Sequence, residues 1–230
     1  MLNYEIDPEL LQPLVPHGVE LDGYDGRTYV SMVGFRFLNT RVLGWRIPFH
    51  VNFDEVNLRF YVRRETPEGF QRGVVFIKEI VPKWAIAKVA RWIYNEKYVA
   101  CPMASLLTLP AGNNETTGFV EYRWKSLRSW NKVSAKFAGE AKLPEPGSEE
   151  AFITEHYWGY TVQRNGSTLE YRVSHPQWKV WAATETTVEC DVGEFYGPQF
   201  VEALSQKPTS VFVADGSVIE VLKGQSLRSQ

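Results

Sequence analysis

Phe53-Asp54-Glu55-Val56-Asn57-Leu58-Arg59-Phe60-Tyr61-Val62-Arg63 alternates apolar and polar side chains with a period of two. That period predicts a strand with Val56, Leu58, Phe60 and Val62 on one face and Glu55, Asn57, Arg59, Tyr61 and Arg63 on the other. The apolar row calls for a core to cover it. The polar row reads in two ways. It is either the wet exterior of a sheet, the usual fate of a polar strand face, or the interior of a barrel or cone that holds a polar ligand. A carboxylate, an amide, two guanidiniums and a phenol in one row are unusual for plain solvated surface, which favours Lys, Thr and Glu.

Strands follow outward from this segment. Thr66-Pro67-Glu68-Gly69 supplies a turn into a strand at 73–80, and strands at 28–38 and 47–53 precede it. Helical spacing of Trp84, Val89, Trp92 and Ile93 behind Pro82 predicts the main helix at 83–95. Beyond it come strands at 98–109, 118–125, 128–138, 159–163, 168–175 and 179–190, with Asn165-Gly166 closing a hairpin. Asp7-Pro8-Glu9 opens a short helix, Ser148-Glu149-Glu150 starts another, and 200–204 forms a helical turn or two. Asp215-Gly216 divides a final hairpin of 209–214 and 218–223. The pattern is α+β and predominantly antiparallel β, and the even spread of strands on both sides of the Pro144 segment favours one domain over 1–230.

Composition narrows the partners. The 230 residues carry 25 Lys+Arg and 27 Asp+Glu, a net charge of −2, so no basic excess is present to neutralise a phosphate backbone and no nucleic acid is expected. The 8 Trp, 11 Tyr and 13 Phe suit pleated, half-buried surfaces. No run of 18 apolar residues predicts a membrane span, and the first residues carry no basic or apolar signal region. Two cysteines, Cys101 and Cys190, fit reduced usage, so a cytoplasmic setting is expected.

Most catalytic signatures are missing. There is no phosphate loop, no Gly-x-Gly-x-x-Gly and no Gly-x-Ser-x-Gly elbow. No Cys-x-x-Cys or His-x-x-x-His pair seeds zinc, and His17, His50, His156 and His175 are scattered, so neither a metal nor a cofactor is expected.

Asp25-Gly26-Arg27-Thr28-Tyr29-Val30-Ser31-Met32-Val33-Gly34-Phe35, Gly44-Trp45-Arg46-Ile47-Pro48, Phe53 to Arg63, Arg72-Gly73-Val74-Val75-Phe76 and Ala87 to Arg91 resemble, in order, the YqjF-like family, a domain of unknown function. Phe152-Ile153-Thr154-Glu155-His156-Tyr157-Trp158-Gly159-Tyr160 and His175-Pro176-Gln177-Trp178 are similar to its closing motifs. The family is grouped with acetoacetate decarboxylase-like proteins. The resemblance therefore implies a cone-like β-barrel around a small-molecule pocket. Those decarboxylases use a lysine of lowered pKa that forms a Schiff base. Lys97 is the lysine nearest that place, and Tyr98 stands where a second lysine is expected. Arg27 occupies the place of a substrate-facing arginine. Arg59-Phe60-Tyr61 departs from the decarboxylases, which carry a glutamate after Arg-Phe.

The resulting expectation is a pocket for a small, anionic carbonyl or carboxylate metabolite. Arg27 and Arg59 would hold the anion, Glu55 and Tyr61 would move protons, and Lys97 would supply the amine. Asn57, His175 and Trp178 would line the cavity. Two other readings stay open: a binding protein that uses the same cavity without chemistry, and a structural protein whose aromatics form a homo-oligomer interface.

Overall fold

The computed structural model describes residues 1–38, 52–82, 95, 97–110 and 117–227. Residues 83–94 of the main helix expected at 83–95 and most of the strand at 47–53 lie outside the described residues.

The first strands are β1 (Leu2–Glu5), β2 (Glu20–Leu21), β3 (Tyr29–Phe37), β4 (Phe53–Thr66) and β5 (Gly69–Val81). Next come β6 (Tyr98–Ala100), β7 (Met103–Thr108), β8 (Thr117–Lys125) and β9 (Trp130–Ala138). The second half adds β10 (Trp158–Val162), β11 (Thr168–Ser174), β12 (Val180–Glu189), β13 (Ser210–Ala214), β14 (Glu220–Val221) and β15 (Gln225–Leu227). Four short helices accompany them among the described residues: α1 (Pro8–Leu11), α2 (Glu149–Thr154), α3 (Val192–Phe195) and α4 (Val201–Ser205).

The described strands join one sheet, whose main path runs β14-β11-β10-β5-β4-β3-β1-β13-β12-β9-β8-β7. Pairing is antiparallel except where β5 meets β10 and β6. β4 is the longest strand and sits near the middle. The Pro67-Glu68 turn returns it into β5, with Thr66 Oγ1 donating to the Gly69 carbonyl at 2.7 Å.

The sheet does not close into the expected barrel. Among the described residues its path ends on β7 and on the two-residue β14, too short a strand to carry a closing ladder. It curls instead. Gly34 on β3 lies against the Tyr122 ring on β8, four intervening strands away along the path, so closely that an added Cβ would sit 2.4 Å from the ring. Val56, Leu58, Phe60 and Val62 point into the space so enclosed. They are 0 % exposed and pack in one cluster with Leu2, Tyr4, Met32, Trp124 and Phe200.

Three local expectations change. The strand at 98–109 is two strands, broken at Cys101-Pro102, where proline has no N–H for a ladder. The final hairpin does not form. β13 is already flanked by β1 and β12, and β14 pairs with β11. β1, unread in the sequence, fills the slot between β3 and β13.

Gly159 and Tyr171 face each other across β10 and β11, and the tyrosine ring fills the space a side chain would take. A Cβ at position 159 would lie 2.2 Å from Tyr171 Cζ. Gly159→Ala is therefore expected to cost about 1–3 kcal/mol by overpacking. A lowered urea midpoint checks this, and an unchanged midpoint contradicts the packing.

Candidate functional site

The polar row of β4 is interior from Glu55 to Tyr61, which overturns the solvated reading of that stretch, while Arg63 stays half exposed against Glu20. Glu55, Asn57 and Tyr61 are each 1 % exposed. The cover comes from β6 on one side and from α2 with its following residues on the other. Ser148 caps α2, its hydroxyl accepting from Ala151 N–H at 3.2 Å, with Glu149 and Glu150 in the first turn. The helix ends at Thr154, and Arg59 Nη2 donates to the Ile153 carbonyl at 3.2 Å, satisfying one of the acceptors a helix end leaves open.

Register assembles the acidic end. Asn57 lies opposite Glu79 on β5, and Glu79 lies opposite Tyr98 on β6, so all three share a face with Glu55. Asn57 Nδ2 donates to Glu55 Oε1 at 3.0 Å, and the Tyr98 hydroxyl donates to Glu55 Oε2 at 3.3 Å. Burial pushes the Glu55 carboxyl up to about 7, although both bonds and the Arg59 charge pull it down. Burial thus favours the protonated form of Glu55. Tyr98 is raised well above its usual value, first by burial and then by the Glu55 and Glu79 charges. Among the described residues, Asn57 Oδ1 and Arg59 Nε are buried without a hydrogen-bond partner.

The aromatic end holds a buried imidazole. The His156 ring lies 4.6 Å from Tyr61 and 5.0 Å from Phe152, centroid to centroid. Its Nε2 is 3.8 Å from Asp22 Oδ2, and Arg72 Nε is 3.2 Å from the same oxygen. Burial pushes His156 down to about 4, aided by Arg59 and opposed by Asp22. Burial alone would raise Asp22, but His156, Arg72 and Arg63 outweigh it and hold the carboxyl low.

The remaining candidates lie elsewhere. Lys97 is exposed. Its neighbour Tyr98 turns inward, so strand alternation turns Lys97 outward, into a surface cleft of about 280 Å³ with Asn95, Thr161 and Arg164. Arg27 closes the turn whose tip is Asp25-Gly26, pairing with Tyr24, with its side chain half exposed, 3.8 Å from Glu5, beside a second cleft of about 260 Å³. His175 and Trp178 stack on one another at 4.1 Å, half-buried, with Trp178 Nε1 donating to Ser217. His175 is pushed down by burial, against a bond to the Pro176 carbonyl that raises it, with the Arg59 charge lowering it further. Among the described residues no group of three or more His, Cys, Asp or Glu converges on a metal position. No described helix is long and apolar enough to cross a membrane.

Glu79, Asp22 and His156 escaped sequence reading. Glu79 and Tyr98 meet Glu55 only through strand register, which a single strand's pattern does not contain. The signal for His156 is its place just past a capped helix, where the chain turns back toward the sheet.

The chain can be set beside known proteins on this footing. Uncharacterized protein YqjF of Bacillus subtilis (strain 168) is 28% identical over 180 residues, which span 76% of this chain and 69% of that protein. Among solved structures, the enduracididine biosynthesis enzyme MppR complexed with pyruvate superposes with a TM-score of 0.62 at 12% identity, covering 98% of this chain and 86% of that one. Acetoacetate decarboxylase from Legionella pneumophila subsp. pneumophila str. Philadelphia 1 superposes with a TM-score of 0.58 at 14% identity, covering 99% and 83%. The fold is therefore acetoacetate decarboxylase-like. Residues 1–218 match the family described as an uncharacterized conserved protein, DUF2071, and this chain belongs to it.

Proposed function

We propose that the interior polar face of β4 is a small-molecule site for an anionic carbonyl or carboxylate metabolite, with Glu55 as the proton carrier. The observation that carries this reading is the buried Glu55 carboxyl, held by Asn57 and Tyr98 beside Arg59. A protonated Glu55 can give its proton to a carbonyl oxygen and its conjugate base can take one back. Arg59, with its Nε unpartnered among the described residues, has a donor to offer a carboxylate. Pyruvate, bound by a protein of the same fold, has both functional groups. The acid–base step does not call on Lys97, whose exposed amine lies outside the buried face. The site operates in the cytoplasm, with the two cysteines as free thiols.

Thermal shift with pyruvate and acetoacetate as probes tests the site. At about 100 times Kd a ligand adds about 2.7 kcal/mol of apparent stability. A shift in the wild type that Arg59→Met abolishes at the same concentration is the expected result. No shift with either probe, or an equal shift in Arg59→Met, overturns the reading. Borohydride with the same probes separates the chemistries: a mass adduct on Lys97 would restore the Schiff-base route and displace Glu55 from the central role.

A further inference from the structure

Four hydrogen bonds lead from Tyr61 to the surface. The Tyr61 hydroxyl lies 2.6 Å from Ser31 Oγ, which lies 2.6 Å from Asn3 Oδ1. Asn3 Nδ2 is 2.9 Å from Ser210 Oγ, and the Ser210 hydroxyl bonds a carboxylate oxygen of Glu149. Tyr61, Ser31 and Asn3 are fully buried, whereas Glu149 is half-buried in the first turn of α2.

The chain has one consistent direction. An ionised carboxylate has no hydrogen to give, so Ser210 must donate to Glu149. A hydroxyl has a single hydrogen, so Ser210 accepts from Asn3, which fixes the amide with Nδ2 toward Ser210 and Oδ1 toward Ser31. Ser31 spends its own hydrogen on Oδ1. The short contact between Ser31 and Tyr61 is then filled by the phenol's hydrogen.

We infer that Glu149 sets the direction of this chain and so commits the Tyr61 proton to Ser31. Tyr61 accepts a hydrogen bond from a bound molecule but does not hand it a proton, so of the two expected proton movers only Glu55 keeps that role. Glu149 is a positioning residue. Its meaning for function rests on the site proposed above, while the hydrogen-bond direction exists without any ligand.

The test uses ligand-free protein, so it stands apart from the outcome of the probe screen. The tyrosine Fermi doublet in ultraviolet resonance Raman spectra distinguishes a donating phenol from an accepting one, and wild type minus Tyr61→Phe isolates this residue. A donor signature is expected in the wild type. Glu149→Lys replaces an acceptor-only group by a donor-only one and reverses every bond, so Tyr61 is expected to give an acceptor signature. An acceptor signature in the wild type, or an unchanged donor signature in Glu149→Lys, overturns the inference. A change in Ser31→Ala with none in Glu149→Lys overturns it too, because Ser31 alone then holds the phenol. Glu149→Gln, which can present either end of its amide, covers the case in which the lysine variant fails to fold. It is expected to mix the two signatures, and a purely wild-type spectrum counts against the chain.

Discussion

Replacing Phe60 by alanine is expected to cost about 3–5 kcal/mol, the largest single-residue effect anticipated on the central strand. Phe60 is 0 % exposed and occupies the middle of the apolar row of β4, among residues contributed by strands from both halves of the sheet. A cavity there removes contacts on every side, and the curled sheet cannot collapse onto it without breaking β4 pairing with β3 and β5. Urea denaturation is the direct measurement. The midpoint should fall while the slope stays constant, because the surface exposed on unfolding is unchanged. For a chain of this size each kcal/mol lowers the melting temperature by about 2–4 °C. A loss below about 1 kcal/mol would mean that this face is not the core.

Glu55→Gln is expected to stabilise the protein, and by an amount that depends on pH. The folded carboxyl titrates at about 7 against an ordinary value of 4.5. Below pH 4.5 both folded and unfolded chains hold the proton, and the group contributes no pH dependence. Between 4.5 and 7 the folded chain keeps a Glu55 proton that the unfolded chain has released, so the contribution of Glu55 to stability falls as pH rises. Above 7 the penalty is complete, about 3 kcal/mol at the free-energy equivalent of one pKa unit. Glutamine carries no such penalty. Its oxygen can still accept from Asn57, and its amide can donate to the Tyr98 hydroxyl. The stability difference between Glu55→Gln and wild type should therefore grow by about 3 kcal/mol from pH 4 to pH 8 and then level off. A pH-independent difference would place the Glu55 titration outside this window. His156, held neutral down to about 4 against an ordinary 6.5, contributes a slope of the opposite sign between those values, but both proteins carry it and it cancels in the difference.

Both faces of β4 were legible in the sequence, because period two sorts side chains by face whatever surrounds them. Which face was wet was not legible. Phe152, Ile153 and His156 lie about a hundred residues further along the chain, and only folding brings them over Arg59 and Tyr61. The same limit explains the candidate site. Glu55, Asn57, Arg59 and Tyr61 were found because they share one strand. Glu79 was missed because it joins them through pairing between strands, and Tyr98, noticed only as a departure from the decarboxylase pattern, joins them the same way. Lys97 stands out only through resemblance to the decarboxylases. Its inward-facing neighbour decides its direction, and that is a property of register. The expected barrel fails for a related reason. Strand count sets the size of a sheet, but closure depends on the end strands, and β14 is two residues long.

The central claim is that Glu55 is a buried acid that exchanges its proton near neutral pH. The most direct test is a carbon-13 titration of side-chain carboxyls in glutamate-labelled protein, with the Glu55 signal assigned by its loss in Glu55→Gln. A midpoint at about 7 is expected. A midpoint at the ordinary carboxylate value of 4.5 would contradict it and remove the proton carrier from the proposed site.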